Sequence, residues 1–371
     1  MSLKRHLLLV SLVAPLLAQQ PAHFHVGESG RVLHPLRARY WRGARTAALV
    51  TEVWYPIAVN VPVEEHDVGP PGHPLFRGGT TAIDAPLASV PTRFPLIVLS
   101  HGTGGTGSSL EWLAIALASH GYIVAAVNHP GNNALEPLTS DGFRLWWERA
   151  MDLTDVLDGL LTDRVIGPRI DRERIGAGGF SLGGYTVIEL AGGLTDRQAF
   201  LRFCNSEQAD TACTPPEMAK AEAGQPSAAS PQSPEALKSI LRSGDSYRDP
   251  RIKAVFAIAP ALGEAFSRPG LAQIRVPVRI VAGDGDITVP LRTNATRYSR
   301  LLPFAKLVIL PGGVSHYTFT GTCLPAGMEV LPETCRDNPG VNRDEVHRRV
   351  SAMALEFFDQ SLQVARATSK H

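Results

Sequence analysis

The pattern of apolar and polar positions along the chain predicts strands that alternate with helices. Short, continuously apolar runs lie at Pro95–Ser100 and Tyr122–Asn128, and the run "RIGAGGFS" leads into a cluster of glycines. Such runs are typical of strands buried on both faces of a parallel sheet. Three further runs of this kind follow later in the chain, at Lys253–Pro260, Val276–Gly283 and Ala305–Gly312.

Segments with helical spacing separate these strands. A helix is predicted at Ser108–His120, with Gly121 as its stop. Ser108 and Glu111 match a capping box at its start. Strands and helices in this order predict an α/β fold with a mostly parallel central sheet and helices on both of its faces. The other predicted helices are Phe143–Thr162, the segment from the glycine cluster to about Ala191, and Asp344–Ala365.

Two regions depart from this alternation. After a predicted strand at Arg45–Ile57, residues 61–93 are rich in proline, glycine and polar residues, and they are expected to form a long surface connection. Residues 194–250 contain the low-complexity stretch "AGQPSAASPQSPEA" and are expected to form a cap insertion, partly helical and partly flexible. Because strands resume after it, we predict one domain over residues 24–371 that contains this insertion. A linker between two domains is the alternative.

Composition and charge narrow the class of protein. The chain has 371 residues, of which 44% are hydrophobic and 19% are charged, as in a globular protein with a sizeable core. Its formal net charge is +1 and it has no basic run, which argues against nucleic acid as a partner. The sequence makes no prediction of the oligomeric state.

The N-terminus is typical of a secretory signal peptide. A positive head at residues 4–6 precedes the apolar stretch Leu7–Ala18, which is too short to span a bilayer comfortably. We predict a signal peptide at residues 1–18, with cleavage between positions 18 and 22, and a periplasmic or secreted protein without a membrane span. An uncleaved N-terminal anchor is the alternative.

Four cysteines form two couples that are close in sequence, Cys204 with Cys213 and Cys323 with Cys335. In an exported protein this spacing favours the disulfides Cys204–Cys213 and Cys323–Cys335, although the other two connectivities and four free buried thiols stay open. Neither couple has the C-x-x-C spacing of a zinc site, so no metal site is predicted.

The stretch "HGTGGTGSSL", from His101 to Leu110, contains a G-x-G-x-x-G pattern between a strand and a helix. A dinucleotide-binding fold has this pattern, but it also needs a carboxylate at the end of the next strand. That strand ends at Asn128 and His129, so a nicotinamide-dependent oxidoreductase is the less favoured alternative. When the pattern is taken to begin one residue earlier, as "HGTGG" from His101, it indicates a loop whose backbone N–H groups bind an oxyanion. His101 is expected to shape this loop, and His129 either lines a cleft or is structural.

The stretch "GAGGFSLGGY", from Gly176 to Tyr185, contains G-x-S-x-G between a strand and a helix. A sharp turn here would expose the hydroxyl of Ser181 above the sheet, and the glycines at positions 179 and 183 would relieve the crowding of such a turn. A serine hydroxyl is a weak nucleophile, so it needs a base and an acid that orients the base.

The acid and the base are expected after later strands, in the order serine, acid, histidine. Asp284 and Asp286 directly follow the predicted strand at Val276–Gly283, and their spacing favours Asp286, with Asp284 as the fallback. His316 lies in the glycine-rich stretch "VILPGGVSHYTF" after the last predicted strand. We therefore predict that Ser181, Asp286 and His316 form a catalytic triad.

In these stretches the chain resembles the serine α/β-hydrolases grouped around platelet-activating-factor acetylhydrolase and the dienelactone-hydrolase-like proteins. The resemblance covers roughly residues 45–320 without the insertion. It implies an α/β-hydrolase fold and a carboxylic-ester hydrolase that uses no cofactor and acts on a small-molecule or lipid ester. The stretches that match in kind and order are "EVWYPI", "LSHGTGG", "LASHGYIVAAVNHPGN", "GFSLGG", "AGDGDITVP" and "GGVSHYTF".

The resemblance also implies residue roles and a substrate class. By position, Ser181 is the nucleophile, Asp286 the acid and His316 the base. The backbone N–H groups of Thr103 and Leu182 form the oxyanion hole. Dienelactone hydrolases have a cysteine nucleophile where this chain has Ser181, which favours short-acyl esters, including acetylated phospholipids, over lactones. The alternatives are a polyester hydrolase, thioesterase or peptidase on the same fold, and a non-catalytic binding protein, which the intact catalytic positions disfavour.

Overall fold

The computed structural model describes residues 23–215, 217 and 233–363. The predicted signal peptide lies outside these residues, as does most of the low-complexity stretch of the insertion. No helix in the described ranges is long and apolar enough to cross a membrane.

Strands and helices alternate along the described chain. The strands are β1 (His25–Leu33), β2 (Leu49–Ile57), β3 (Glu64–Val68), β4 (Phe76–Ile83), β5 (Phe94–Ser100), β6 (Ile123–Val127), β7 (Ile170–Phe180), β8 (Ile252–Ile258), β9 (Val278–Gly283) and β10 (Ala305–Leu310). The α-helices are α1 (Glu111–Ser119), α2 (Ser140–Arg144), α3 (Glu148–Thr162), α4 (Leu182–Leu190), α5 (Arg197–Cys204), α6 (Pro234–Leu241), α7 (Arg268–Ala272), α8 (Ala295–Leu301), α9 (Pro325–Val330), α10 (Pro332–Cys335) and α11 (Arg343–Gln363).

The described strands form one mixed sheet in the order β10-β9-β8-β7-β5-β6-β2-β1-β4-β3. Every neighbouring pair from β10 to β6 is parallel, whereas β2 is antiparallel to both β6 and β1, and β3 is antiparallel to β4. The mostly parallel sheet is therefore confirmed. The loops after β7, β9 and β10, which contain the predicted triad, lie at the same edge of the sheet because these strands run in the same direction.

Helices cover both faces of the sheet, as predicted. Side chains of β5 alternate between two buried clusters, since Leu96 and Val98 pack on one face while Ile97 and Leu99 pack on the other. The first cluster includes residues of α3 and α4, and the second includes residues of α1 and α11. Every residue of β5 is buried, which explains why this strand is a continuous apolar run in the sequence.

The surface connection predicted at residues 61–93 is wrong, because this segment contains β3 and β4. Strand β4 pairs in parallel with β1 and antiparallel with β3, so both strands extend the sheet. They keep most of their side chains exposed or half-buried. Because neither strand buries a whole face, their sequences lack the alternation of apolar and polar residues from which a strand is predicted.

The start of the first helix also differs from the prediction. A 3-10 turn precedes α1, and the capping box is formed by Thr106 and Ser109 rather than by Ser108 and Glu111. The hydroxyl of Ser108 instead donates to the carboxylate of Glu52, 3.0 Å away. The carboxylate of Glu111 accepts a backbone N–H of β4. Ser108 and Glu111, which the local pattern predicts as the helix cap, thus make tertiary contacts instead.

The helix predicted at Phe143–Thr162 begins only at Glu148, and its first two residues belong to the separate helix α2. The connection between the two helices buries Leu145 and Trp147. The other predicted strands and helices are present, with ends that differ by a few residues. Strand β10 is not buried on both faces as predicted: it lies at an edge of the sheet, and of its six residues only Leu310 is buried.

Both favoured disulfides are present, Cys204 with Cys213 and Cys323 with Cys335. The first joins the end of α5 to the segment that follows it within residues 194–250. The second links the chain after β10 to the end of α10. The predicted connectivity is therefore confirmed.

Candidate active site

The serine of the G-x-S-x-G motif lies on a strained turn between β7 and α4. Ser181 has φ 56° and ψ −119°, and residues other than glycine rarely adopt a positive φ. Two backbone hydrogen bonds hold the turn: the N–H of Ser181 donates to the carbonyl of Ile258 (2.9 Å), and its own carbonyl accepts the N–H of Ala261 (3.0 Å). Strain that surrounding contacts fix in this way is typical of functional sites.

Close packing requires the two glycines of the motif. A Cβ on Gly179 would lie 2.2 Å from the carbonyl oxygen of Gly183. A Cβ on Gly183 would lie 1.9 Å from the carbonyl oxygen of Ser100, at the end of β5. The crowding inferred from the sequence is therefore present, and it involves β5 as well as the turn.

The structure brings together the three residues of the predicted triad, all of them buried. Nε2 of His316 lies 2.9 Å from Oγ of Ser181, and Nδ1 of His316 lies 2.7 Å from Oδ2 of Asp286. The other carboxylate oxygen of Asp286 accepts the N–H of Val289 at 2.7 Å. When the carboxylate of Asp286 accepts a hydrogen bond from Nδ1–H, Nε2 is left as the acceptor for the serine hydroxyl. This arrangement allows His316 to take the proton of Ser181.

Asp284, the fallback acid, has a different position. Its carboxylate accepts the N–H groups of Gly312 (3.1 Å) and Gly313 (2.7 Å), in the loop after β10. Both glycines have a positive φ, of 98° and 84°. Asp284 therefore stabilises the turn that precedes His316, while the imidazole itself faces Asp286.

The two predicted oxyanion residues flank Ser181. Leu182 follows it as the first residue of α4, where a backbone N–H has no acceptor within the helix. Thr103 belongs to the predicted oxyanion loop, residues 101–107, and a Cβ on the preceding Gly102 would lie 3.3 Å from the Cβ of Ser181. The loop thus passes beside the serine. The roles of Thr103 and Leu182 as oxyanion donors stay predictions.

The two histidines near the oxyanion loop are structural. Nδ1 of His101 lies 2.6 Å from the carbonyl oxygen of Gly102, and its Nε2 accepts the N–H of His129 at 3.2 Å. Burial lowers the pKa of both histidines, that of His129 to about 3, so both rings are neutral at pH 7. His129 has no exposed surface and therefore does not line a cleft, which was one of the two roles expected for it.

Two charged residues of α3 support this loop and were not predicted from the sequence. Arg149 and Asp152 are fully buried, although charged side chains of an amphipathic helix are expected to face solvent. Arg149 donates to the carbonyl of His101, and Asp152 accepts from the ring of His129. Their spacing could have indicated that they are buried, because positions 149 and 152 share a helix face with the apolar Val156.

One group of described residues has the donor set of a metal site. Glu28, His66 and Glu111 each offer a ligand atom, and these atoms lie within 4.8 Å of one another. Nε2 of His66 lies 2.8 Å from a carboxylate oxygen of Glu111, and this hydrogen bond raises the pKa of His66. An imidazolium at this position balances the carboxylates, so their arrangement does not require a metal ion.

Comparison with solved structures defines the class of fold. The chain is similar to a ferulic acid esterase from Streptomyces cinnamoneus, with a TM-score of 0.57, 21% sequence identity, and coverage of 93% of this chain and 92% of that chain. Together with the mixed ten-stranded sheet and the helices on both of its faces, this similarity shows that the chain has the α/β-hydrolase fold, as predicted.

Sequence comparisons indicate the family that the chain resembles. Residues 80–140 match a family model described as platelet-activating factor acetylhydrolase, isoform II. The chain is also similar to Cutinase est2 of Thermobifida alba, 36% identical over 105 residues, which are 28% of this chain and 32% of the relative. It is 28% identical over 137 residues to platelet-activating factor acetylhydrolase of Cavia porcellus, with 26% of this chain and 31% of the relative covered. The matches span about a third of each relative's length, and the predicted resemblance to the platelet-activating-factor acetylhydrolase family is confirmed.

Proposed function

We propose that the protein is a serine carboxylic-ester hydrolase that acts through an acyl-enzyme on short-acyl esters, acetylated phospholipids among them. The observation that carries this proposal is the pair of contacts made by His316, to Ser181 at 2.9 Å and to Asp286 at 2.7 Å. The strained turn places the hydroxyl of Ser181 beside the imidazole of His316, and the glycine loop next to it is proposed to supply the backbone donors that acyl transfer needs.

In the proposed mechanism, His316 accepts the proton of Ser181 as the serine oxygen attacks the ester carbonyl. Asp286 holds the imidazole in the required tautomer and stabilises the imidazolium that forms. The N–H groups of Thr103 and Leu182 bind the oxyanion, with roughly 3 kcal/mol of transition-state stabilisation from each donor. His316 then protonates the departing alcohol. The same imidazole activates a water molecule, which attacks the acyl-enzyme and releases the acid.

Similarity to two kinds of relative favours two classes of ester substrate. Similarity to the acetylhydrolase of Cavia porcellus supports a short acyl group, and similarity to Cutinase est2 supports a polyester hydrolase as the second candidate. Both reactions cleave a carboxylic ester through the same kind of acyl-enzyme. They therefore need the same triad and differ in the pocket that receives the acyl and alcohol groups.

We also propose that residues 24–371 form a single hydrolase domain and that residues 194–250 are a cap insertion within it. In support, the N–H of Asp249 donates to the carbonyl of Leu190 at 2.9 Å. The end of the insertion thus lies beside the end of α4, from which the insertion departs. A chain that leaves and returns at one place is expected of an insertion rather than of a linker between two domains.

Export is proposed on the two disulfides, because disulfides persist in oxidising compartments. The proposed location is periplasmic or secreted, with residues 1–18 as the signal peptide. N-terminal mass spectrometry of the protein recovered outside the cytoplasm would test this, and a mature chain that begins between positions 19 and 23 is the expected result.

The experiment that tests the function is hydrolysis of p-nitrophenyl acetate, butyrate and octanoate, of an acetylated phospholipid and of a polyester film. We expect Ser181→Ala to lower kcat at least about 10⁴-fold, because the nucleophile is lost. Ser246→Ala is the matched control, since Ser246 is exposed and far along the chain from the motif. Activity that survives in Ser181→Ala would remove Ser181 as the nucleophile. A folded protein that hydrolyses no ester would favour a thioesterase, a peptidase or a binding role.

A further inference from the structure

A buried polar array lies between α3 and the oxyanion loop. It consists of Arg42, Ser100, His129, Arg149 and Asp152, each with 0% of its surface exposed. Burial of two guanidinium groups and a carboxylate is costly unless each is paired and hydrogen-bonded. The partners of the array therefore indicate what it holds in place.

Three members of the array repeat the geometry of a catalytic triad. Nε2 of His129 lies 2.9 Å from Oγ of Ser100, and Nδ1 of His129 lies 2.7 Å from Oδ2 of Asp152. No substrate reaches these atoms, because none of the three side chains has exposed surface. The resemblance to a triad is therefore one of hydrogen bonding only.

The charges around Asp152 fix the direction of these hydrogen bonds. Burial alone would raise the pKa of Asp152, but the charges of Arg42 and Arg39 lower it, so the carboxylate is ionised. The carboxylate of Asp152 then accepts a hydrogen bond from Nδ1–H of His129, and Nε2 accepts a hydrogen bond from the hydroxyl of Ser100. The lone pairs of the Ser100 oxygen are left to face Nη2 of Arg149, 3.3 Å away.

Arg149 connects this chain of hydrogen bonds to the oxyanion loop at two points. Its Nη2 also donates to the carbonyl oxygen of His101. Its Nη1 donates to Oδ1 of Asn132 at 3.3 Å, and the same oxygen accepts the N–H of Gly104 at 2.9 Å. The loop is thus held at His101 directly and at Gly104 through Asn132, with Thr103 between these two points.

We propose that Arg149 is a positioning residue that fixes the peptide units on either side of the Gly102–Thr103 peptide and so aims the N–H of that peptide, the Thr103 N–H, at the oxyanion. The inference rests on the proposed ester hydrolase function. A planar guanidinium can hold two acceptors in one fixed geometry, which a lysine ammonium on a flexible stem cannot do. Arg149 acts through the loop and does not touch the substrate.

Two variants test this proposal in the full-length protein. Arg149→Lys keeps the positive charge but loses the planar fork, and Asn132→Ala removes the link to Gly104 while Arg149 stays. We expect each variant to lower kcat for p-nitrophenyl butyrate about 10- to 100-fold, because a misplaced oxyanion donor weakens transition-state binding. We expect KM to stay within about two-fold, because the ground state does not use this donor.

A transition-state readout separates positioning from a merely structural role. An alkylboronic acid forms a tetrahedral adduct with a catalytic serine, and one of its oxygens occupies the position of the oxyanion. We expect its affinity for each variant to fall by the same factor as kcat/KM, since both measure binding of the transition-state geometry. Leu157→Ala is the control: Leu157 is fully buried on α3 but lies outside the array, so this variant should lose stability and keep its kcat and boronate affinity.

Three results would overturn the proposal: a wild-type kcat in folded Arg149→Lys and Asn132→Ala, a higher KM with unchanged kcat, or an equal loss of kcat in Leu157→Ala. If Arg149→Lys does not fold, Asn132→Ala decides the question. Absence of esterase activity in the wild-type protein would instead refute the proposed function. The two failures are therefore distinguishable.

Discussion

At the scale of single residues, the chemistry of the site depends on which of two neighbouring aspartates faces the base. Asp286 contacts the imidazole of His316, whereas Asp284 accepts two backbone N–H groups of the glycine turn before it. One carboxylate is thus placed to orient the base and the other to shape the loop that carries the base. Removal of the negative charge at position 286 should therefore affect kcat very differently from its removal at position 284.

We expect Asp286→Asn to lower kcat about 10⁴-fold, because an amide does not hold the tautomer that a general base needs. Asp284→Asn is the matched control and should lower kcat by no more than about ten-fold, since an amide oxygen can still accept an N–H group of the turn. Steady-state kinetics with p-nitrophenyl butyrate measure both. Equal losses, or a larger loss in Asp284→Asn, would contradict the assignment of Asp286 as the acid.

The residues proposed to carry out the chemistry could be predicted because each is tied to a local pattern. Glycines surround Ser181, and the acid and the histidine each follow a buried strand. The residues that support them could not be predicted in this way. The partner of Arg149 on the oxyanion loop lies 48 positions away, and Arg42 lies 110 positions from Asp152. The spacing of residues within a short stretch of sequence cannot predict a contact over such a distance along the chain.

At the scale of elements, strand β2 holds the far end of the oxyanion loop. Glu52, in β2, accepts from the hydroxyl of Ser108 at 3.0 Å and from the amide of Asn128 at 3.3 Å. Asn128 in turn accepts the N–H of Gly107 at 3.0 Å. Burial raises the pKa of Glu52 to about 7, against the opposing effect of these hydrogen bonds. The carboxyl group thus changes charge near neutral pH beside the loop.

This pKa predicts how stability depends on pH. Because the folded-state pKa of Glu52 is raised from 4.5 to about 7, its contribution to stability is fully present below pH 4.5 and is lost as the pH rises through 7. The loss amounts to at most about 3 kcal/mol. Glu52→Gln cannot ionise, so its free energy of unfolding should exceed that of wild type by more at pH 8 than at pH 5.

Urea unfolding at these two pH values measures the difference. Glu65→Gln is the control, because Glu65 is exposed on β3 and its removal should change stability equally at both pH values. A Glu52→Gln advantage that is the same at pH 5 and pH 8 would show that Glu52 is ionised in the folded protein throughout this range.

Strands that form continuous apolar runs could be predicted from the sequence, and strands that carry mostly polar side chains could not. Strands β5 and β6 are fully buried, so they stand out as apolar runs. Strands β3 and β4 carry polar side chains that are largely accessible to solvent, and their composition is that of a loop. The predicted capping box of Ser108 and Glu111 is wrong for a related reason. The hydroxyl of Ser108 donates a hydrogen bond to Glu52 in β2 instead of capping its own helix.

At the scale of the whole molecule, the proposed insertion contacts two loops of the candidate site. The hydroxyl of Thr211 donates to the carbonyls of Ile287 and Thr288, at 2.7 and 2.9 Å, directly after Asp286. On the other side, the hydroxyl of Tyr317, the residue after His316, donates to Glu217 at 3.0 Å. The Cys204–Cys213 disulfide lies in the same part of the insertion. We therefore expect this disulfide to matter for activity as well as for stability.

The double variant Cys204→Ser/Cys213→Ser should lower the free energy of unfolding by about 2–4 kcal/mol, because the unfolded chain gains freedom. It should also lower kcat/KM about ten-fold at a temperature where it is fully folded, because the acid loop, the segment after β9 that contains Asp286, Ile287 and Thr288, loses its fixed neighbour. Kinetics and urea unfolding of the same preparation measure the two effects.

Thr211→Val keeps the disulfide and removes only the contacts to the acid loop, so a loss of activity in this variant would support the link. Thr214→Val is its control, since Thr214 is exposed nearby. Full activity in the double variant, with stability alone reduced, would show that the insertion does not hold the acid loop.

Strand β3 forms one margin of the sheet, and three of its five residues, Glu64, Glu65 and Asp67, are exposed acids. An unpaired strand margin offers free N–H and C=O groups with which a second molecule could form a continuous sheet. Here such a pairing would bring the exposed acidic side chains of the two molecules close together. We expect this repulsion to oppose aggregation through β3, so that concentrated solutions stay clear at neutral pH.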